Sequence, residues 1–303
     1  ALPCRFNHVW GALPQSMTSI EQRKIAKISH LVHEYSGIMV ERVTARQAEK
    51  KILDQMTRYK VNSIDDYIRI LETCNHNPLA MDDLIADLTV SESFFFRNPA
   101  QFDFMLEVLL PEFFTLHGYQ FPFRIWSAGC SRGEEAYSVA MLARYFQNRF
   151  PEARFSINAG DINSRNLQMA REGFFNSRSL RDKLPEFESR FGMKLGKPDS
   201  DGNCKVSDEI RNMVEFQRLN LKNLQSLQCL TGSDIIFCRN VLIYFDENLR
   251  NRLFEEFFKY LNPGGVVFLG ETECMPAGIG GFTMVNHKNS YAYRKPLLSK
   301  QKT

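Results

Sequence analysis

The chain has 303 residues, 44% of them hydrophobic and 24% charged, with a formal net charge of +3. That length accommodates one large domain plus a smaller one, and the composition is ordinary for a globular protein with a sizeable core. A charge this small gives no argument for a nucleic-acid partner, and no apolar run approaches the ~20 residues needed to span a bilayer.

The N-terminus lacks the basic-then-apolar pattern of a signal peptide. Residues 1–17 read as a leader, with Met17 as a candidate start. Thr18-Ser-Ile-Glu21 is a capping signal for a helix. Ile25, Ile28, Leu31, Val32 and Tyr35 then recur at helical spacing, and Gly37 ends the run. Further helices are expected over 46–59, 64–74 and 79–88, so that 18–90 forms a small all-helical domain. Residues 91–99, Ser91-Glu-Ser-Phe-Phe-Phe-Arg-Asn-Pro99, form a linker whose proline can open the next helix.

From residue 100 to 295 strands and helices alternate. Strands are expected at 123–128, 155–161, 214–218, 233–237 and 266–269. Helices are expected at 134–150, at 164–172 with Ser164 as its cap, and at 246–261, closed by Asn262-Pro-Gly-Gly265. Residues 282–285 and 290–294 read as a terminal hairpin, and 296–303 as a tail. Alternation of this kind implies right-handed crossovers and a parallel sheet covered on both faces, an α/β fold. One stretch, 173–213, breaks the rhythm and reads as an insertion. Its end, Gly202-Asn-Cys-Lys-Val-Ser207, suits short antiparallel strands.

Three apolar strands deliver polar residues at their carboxyl ends: Ser127-Ala-Gly-Cys-Ser-Arg-Gly-Glu-Glu135, Asp161, and Cys238-Arg-Asn-Val-Leu-Ile-Tyr244. In an open parallel sheet those ends form the ligand crevice. A Gly-rich turn opening a helix usually cradles phosphate, but Glu134 and Glu135 would repel one. S-adenosylmethionine, cationic and without phosphate, suits the turn. Gly129 and Gly133 also fit an ordinary strand-to-helix turn, and carboxylates in a first helical turn complement the helix dipole. Asp161 is placed to accept from ribose hydroxyls, or to cap a turn. Arg239 and Asn240 follow an apolar strand, where packing does not explain a polar pair, although a salt bridge to a neighbouring carboxylate does. The seven scattered cysteines contain no Cys-x-x-Cys pair, which suits reduced thiols in a cytoplasm. No histidine clusters at metal-ligand spacing, and no metal is expected.

Together these segments resemble the CheR family of chemotaxis-receptor glutamate methyltransferases. Leu88-Thr-Val-Ser-Glu-Ser-Phe-Phe-Phe-Arg97 is similar to the family's Leu-Thr-x-Asn-x-Thr-x-Phe-Phe-Arg, and Trp126 to Ser138 to its Trp-Ser-Ala-x-x-Ser-Thr-Gly-Glu-Glu-Pro-Tyr-Ser. Gly160-Asp-Ile-Asn163 matches loosely, and Phe237-Cys-Arg-Asn-Val-Leu-Ile-Tyr-Phe245 almost letter for letter. The resemblance spans about residues 20–295. It implies a Rossmann-like S-adenosylmethionine-dependent methyltransferase domain, a helical N-terminal domain and an inserted small β-subdomain at 173–213.

The resemblance also implies roles. Ser91, Ser93 and Arg97 would line the cofactor pocket with Gly129, and Glu135 would meet the methionine end. Asp161 would hold the ribose, while Asn220 and Leu221 flank the adenine. Arg239, Asn240 and Tyr244 would complete the pocket beside the methyl, with Arg97, Arg239 and Tyr244 as the catalytic set. Chemoreceptor cytoplasmic domains are the implied partners, with a receptor C-terminal peptide as a candidate ligand of the insertion. Neither nucleic acid nor membrane insertion is expected. Ser91, Ser93, Arg132, Ala136 and Asn163 depart from the family pattern. So do Asp54 and Gln55, in the region where the family carries a basic helix. A glutamate carboxylate, with a reference pKa near 4.3, is ionised at neutral pH, so direct displacement needs no general base. Two other readings share the fold. One is a cofactor-binding adaptor without transfer activity. The other is a nucleic-acid base methyltransferase, for which the Asn/Asp-Pro-Pro-aromatic motif is missing.

Overall fold

The structure is a computed structural model and describes residues 19–40, 45–73, 78–89, 93–180, 184–191, 195, 199–200 and 202–297. The expected leader, residues 1–17, its neighbour Thr18 and most of the tail lie outside the described residues. The chain divides into two compact units, one of residues 1–35 and 39–90, the other of 36–38 and 91–303. Among the described residues no helix is long and apolar enough to cross a membrane.

The first unit is helical, with α1 (Ser19–Ser36), α2 (Ala45–Arg58), α3 (Ile64–Glu72) and α4 (Leu79–Leu88). Its core takes Ile28 and Val32 from α1, Ile52 from α2, Tyr67 and Leu71 from α3, and Leu84 from α4. Ser63 caps α3 by accepting the Asp66 N–H at 3.1 Å. The departures noted in α2 have different fates. Asp54 is exposed, whereas Gln55 is fully buried and donates to Asp87 Oδ2 at 2.5 Å. Lys51 donates to the Asp87 carbonyl, and Arg58 lies 3.8 Å and 3.9 Å from the carboxylates of Asp83 and Asp87. Part of the positive charge of α2 is therefore met by α4.

The second unit opens with α5 (Pro99–Phe104), which passes through a π-turn at Met105–Leu109 into α6 (Leu110–His117). Strands and helices then alternate: β1 (Phe123–Ala128), α7 (Glu134–Arg149), β2 (Phe155–Asp161) and α8 (Ser164–Glu172). The insertion holds β3 (Phe174–Phe175), α9 (Ser177–Leu180), α10 (Leu184–Phe191), β4 (Cys204–Lys205) and α11 (Asp208–Arg211). After it come β5 (Val214–Arg218), β6 (Ser233–Cys238), α12 (Glu247–Tyr260), β7 (Leu261–Leu269), β8 (Thr283–His287) and β9 (Ser290–Arg294).

Seven strands form one sheet in the order β5-β2-β1-β6-β7-β9-β8. The pairs β1·β2, β1·β6, β2·β5 and β6·β7 are parallel, and β9 is antiparallel to both neighbours. Strand β6 is buried at every position, as expected of a central parallel strand covered on both faces. The order reverses direction between β1 and β6, so the loops after β1, β2 and β6 meet above the sheet.

Two local expectations are corrected. Asn163, not Ser164, caps α8: its backbone is extended and its side-chain oxygen accepts the N–H groups of Arg165 and Asn166 at 2.9 and 3.2 Å. Asn262-Pro-Gly-Gly265 does not separate α12 from the next strand. Leu261 is already extended, and β7 includes the whole motif. Proline has no N–H for a ladder, and the register of β7 with β6 is irregular there, between Ser233 and Ile235. In the insertion, β3 and β4 pair antiparallel as a two-stranded sheet of their own, flanked by short helices. Most of the polar loop 192–202 lies outside the described residues.

Candidate active site

The turn after β1 is built for close approach. Gly129 has φ +83°, and a Cβ there would lie 2.3 Å from Val241 Cγ2. Gly133, at φ +96°, forms the N-cap of α7, and a Cβ there would crowd Ala170 and Phe216 at 3.1 Å. Ser131, between them, takes φ +52° without being glycine. Phe96, Asn98 and Asn240 are also left-handed, at +54°, +60° and +59°. Four non-glycine residues thus take left-handed backbone in the linker and in the loops after β1 and β6.

Asp161 accepts from two backbone N–H groups, Ser131 at 2.8 Å and Asn163 at 2.9 Å. It thus ties the loop after β2 to the loop after β1, and each oxygen of an ionised carboxylate can accept two bonds. Glu135 accepts from Ser127 Oγ at 2.6 Å through Oε1, and from Arg239 Nε at 2.5 Å through Oε2. Arg239 is 7% exposed, and its Nη1 donates to the Arg97 carbonyl at 2.7 Å and to Gln101 Oε1 at 2.9 Å. Arg239 thus makes the salt bridge to a neighbouring carboxylate that its place after an apolar strand allows. Glu134 is fully buried and is met by Arg132 Nη2 at 3.1 Å and Ser179 Oγ at 2.9 Å. The two glutamates that favoured a cationic ligand therefore each have an arginine partner, and their charge is largely balanced within the protein.

The linker segment is fastened from both sides. Phe96 N–H donates to Ser138 Oγ at 2.9 Å, and Phe95 N–H donates to the Ser179 carbonyl at 2.9 Å. Phe95 also packs edge-on against Phe175, with ring centroids 4.9 Å apart. Arg97 is half-buried, with its guanidinium 5.5 Å from the Phe94 ring centre. Ser93 is half-buried at the start of the segment, and Ser91 lies outside the described residues.

On the other flank, Asn220 Oδ1 accepts the Lys222 N–H at 3.0 Å, shaping the turn that buries Leu221. Leu219 N–H donates to the Asp161 carbonyl at 2.9 Å, which holds this turn beside β2. Tyr244 closes a short 3-10 turn, Leu242–Tyr244, and is half-buried. Burial pushes the Cys130 thiol well up, with Asp161 and Glu135 adding to it, and burial does the same to Cys238, with Glu273 and Glu135 adding. Both stay protonated at neutral pH and are no nucleophiles.

Sequence reasoning missed three contributors. Gln101 bridges Arg239 and the Leu269 carbonyl, to which its Nε2 donates at 2.8 Å. Ser179, from the insertion, reaches both Glu134 and the linker. Glu273 accepts backbone N–H groups from the loops after β6 and β7. A carboxylate just past a strand end, as at Asp161, was the signal available for Glu273.

Residues 91–290 match the CheR methyltransferase, SAM binding domain family. The chain belongs to that family. It is 33% identical over 264 residues to chemotaxis protein methyltransferase 2 of Vibrio cholerae, covering 87% of this chain and 90% of that protein. To chemotaxis protein methyltransferase 1 of the same organism it is 34% identical over 242 residues, covering 79% and 84%. To the chemotaxis protein methyltransferase of Escherichia coli it is 27% identical over 274 residues, covering 90% and 91%. This CheR-family chain is an S-adenosylmethionine-dependent methyltransferase of chemoreceptors. The residues present fit that cofactor. The buried Ser131 Oγ has no hydrogen-bond partner, and Asp161 offers a carboxylate at the strand end, where ribose hydroxyls need acceptors.

Proposed function

We propose that the chain methylates glutamate side chains of chemotaxis receptors, forming methyl esters, and that it does so in the cytoplasm. The observation that carries this reading is the convergence of the loops after β1, β2 and β6, joined by the Glu135–Arg239 pair and by Asp161. The described cysteines, Cys130, Cys204, Cys229, Cys238 and Cys274, are all free thiols, which supports the compartment.

In this reading Asp161 holds the ribose, Asn220 and Leu221 flank the adenine, and Ser91, Ser93, Gly129 and Asn240 complete the pocket. When bound, S-adenosylmethionine would supply a methyl group to the glutamate oxygen, the methyl–sulfur bond breaking as the oxygen–methyl bond forms and its electron pair leaving on the sulfur of S-adenosylhomocysteine. The protein's task is to align an already ionised glutamate, a proximity effect. Arg97 is proposed to orient that carboxylate, while Arg239 binds Glu135, Gln101 and the Arg97 carbonyl. Arg239 then acts by holding Glu135. Tyr244 positions the substrate through its hydroxyl. Pairing that was too strong would slow transfer, since the carboxylate loses its charge on the way to the ester.

The insertion is proposed to dock a receptor C-terminal peptide. The two-stranded sheet of β3 and β4 supports this, because a peptide can add a strand to a sheet edge. Incubation with methyl-labelled cofactor and a chemoreceptor cytoplasmic domain tests the activity: label released by mild base is expected, and base-stable label rejects the ester. Replacing residues 192–202 with a short turn should preserve cofactor affinity and reduce methylation of the full-length receptor. Equal activity removes the docking role.

A further inference from the structure

One carboxylate outside the proposed pocket organises the loop that carries Arg239, Asn240 and Tyr244. Glu273 Oε2 accepts the Asn240 N–H at 2.7 Å and the Gly270 N–H at 2.8 Å, while Oε1 accepts the Ile243 N–H at 3.2 Å. The Glu273 N–H returns a bond to the Gly270 carbonyl at 3.0 Å. Two loops that follow adjacent parallel strands, β6 and β7, are thus gripped by a single side chain. The grip falls on the left-handed turn at Asn240, whose φ is +59°. Gly270 leaves room for it: a Cβ there would lie 2.8 Å from Glu273 Oε2 and 2.9 Å from Asn240 Nδ2.

We propose that Glu273 is a positioning residue for methyl transfer, whose carboxylate holds the backbone of Asn240 and Ile243 so that Asn240 and Tyr244 face the reacting groups. The inference rests on the proposed pocket, in which Asn240 and Tyr244 take part. Glu273 touches neither cofactor nor substrate in this scheme. Both oxygens are needed as acceptors, because an amide in place of the carboxylate would turn an NH₂ group towards backbone donors.

The test compares Glu273→Gln, Gly270→Ala and Asn240→Ala in the full chain. Each is measured for S-adenosylhomocysteine affinity by calorimetry, for kcat and KM with receptor, and for melting temperature. Glu273→Gln should weaken product binding and lower kcat by about tenfold or more, the scale of a lost charge-assisted hydrogen bond. Receptor KM should change far less. Gly270→Ala removes no hydrogen-bonding group yet wedges a methyl into the same contact, and should show the same split; it serves if Glu273→Gln does not fold. A lower melting temperature with unchanged affinity and kcat in the folded protein overturns the positioning role. Unchanged affinity and rate in Asn240→Ala overturns the pocket assignment itself, separately from Glu273.

Discussion

Arg239 Nε and Glu135 Oε2 meet at 2.5 Å, joining the loop after β6 to the first turn of α7. The arginine side chain is 3% exposed and the glutamate side chain 11%. Arg239 also lies within 5.5 Å of the Phe102 ring centre and 5.8 Å of that of Phe237. A pair this enclosed matters less for what it adds than for what its rupture leaves behind.

Removing one partner should therefore be worse than removing both. Arg239→Ala is expected to lower unfolding free energy by about 3–5 kcal/mol in urea titration, because Glu135 is left charged and enclosed. The double variant with Glu135→Gln should lose less stability than Arg239→Ala alone. Strict additivity would show that the two side chains do not depend on each other.

Asp161→Ala should weaken S-adenosylhomocysteine binding by about tenfold or more in calorimetry, since bonds to a carboxylate are worth roughly 1.5–3 kcal/mol. The melting temperature should fall as well, because the Ser131 and Asn163 N–H groups lose their acceptor. Parent affinity in the folded variant would remove Asp161 from the pocket.

Arg97→Ala should leave the fold largely intact while slowing transfer. The contact that Arg97 makes with Arg239 uses its backbone carbonyl, which alanine keeps. A shift in melting temperature of under about 4 °C, the scale of 1 kcal/mol for a domain of this size, is expected together with a much lower kcat. Loss of the folded state would make Arg97 a structural residue.

Thiol alkylation should divide the described cysteines by burial. Cys229 and Cys274 are exposed and should label in the native state, whereas Cys130, Cys204 and Cys238 should label only after unfolding. Mass spectrometry of labelled peptides checks this. Native labelling of Cys130 would mean that the turn after β1 opens.

The Rossmann-like layout was legible because parallel strands buried on both faces write continuous apolar runs, as in Ile235-Ile-Phe-Cys238, and polar residues follow them where the ligand crevice forms. The caps were legible only to within a residue: Asn163 and Ser164 are both good caps, and backbone geometry alone selects Asn163.

The alternation of strands and helices, the helical N-terminal unit, the three strand ends that supply the site and the motifs that carry the family are all local patterns, written in neighbouring residues. They need no knowledge of the fold to be read. What each charge does is a different matter, settled between residues far apart in the chain. Arg239 meets Glu135 across 104 positions, Gln101 reaches Leu269 across 168, and Glu273 grips Asn240 across 33. Burial makes such pairing compulsory, since an enclosed charge or N–H without a partner is costly, but which partner is found depends on loops that only the folded sheet brings together.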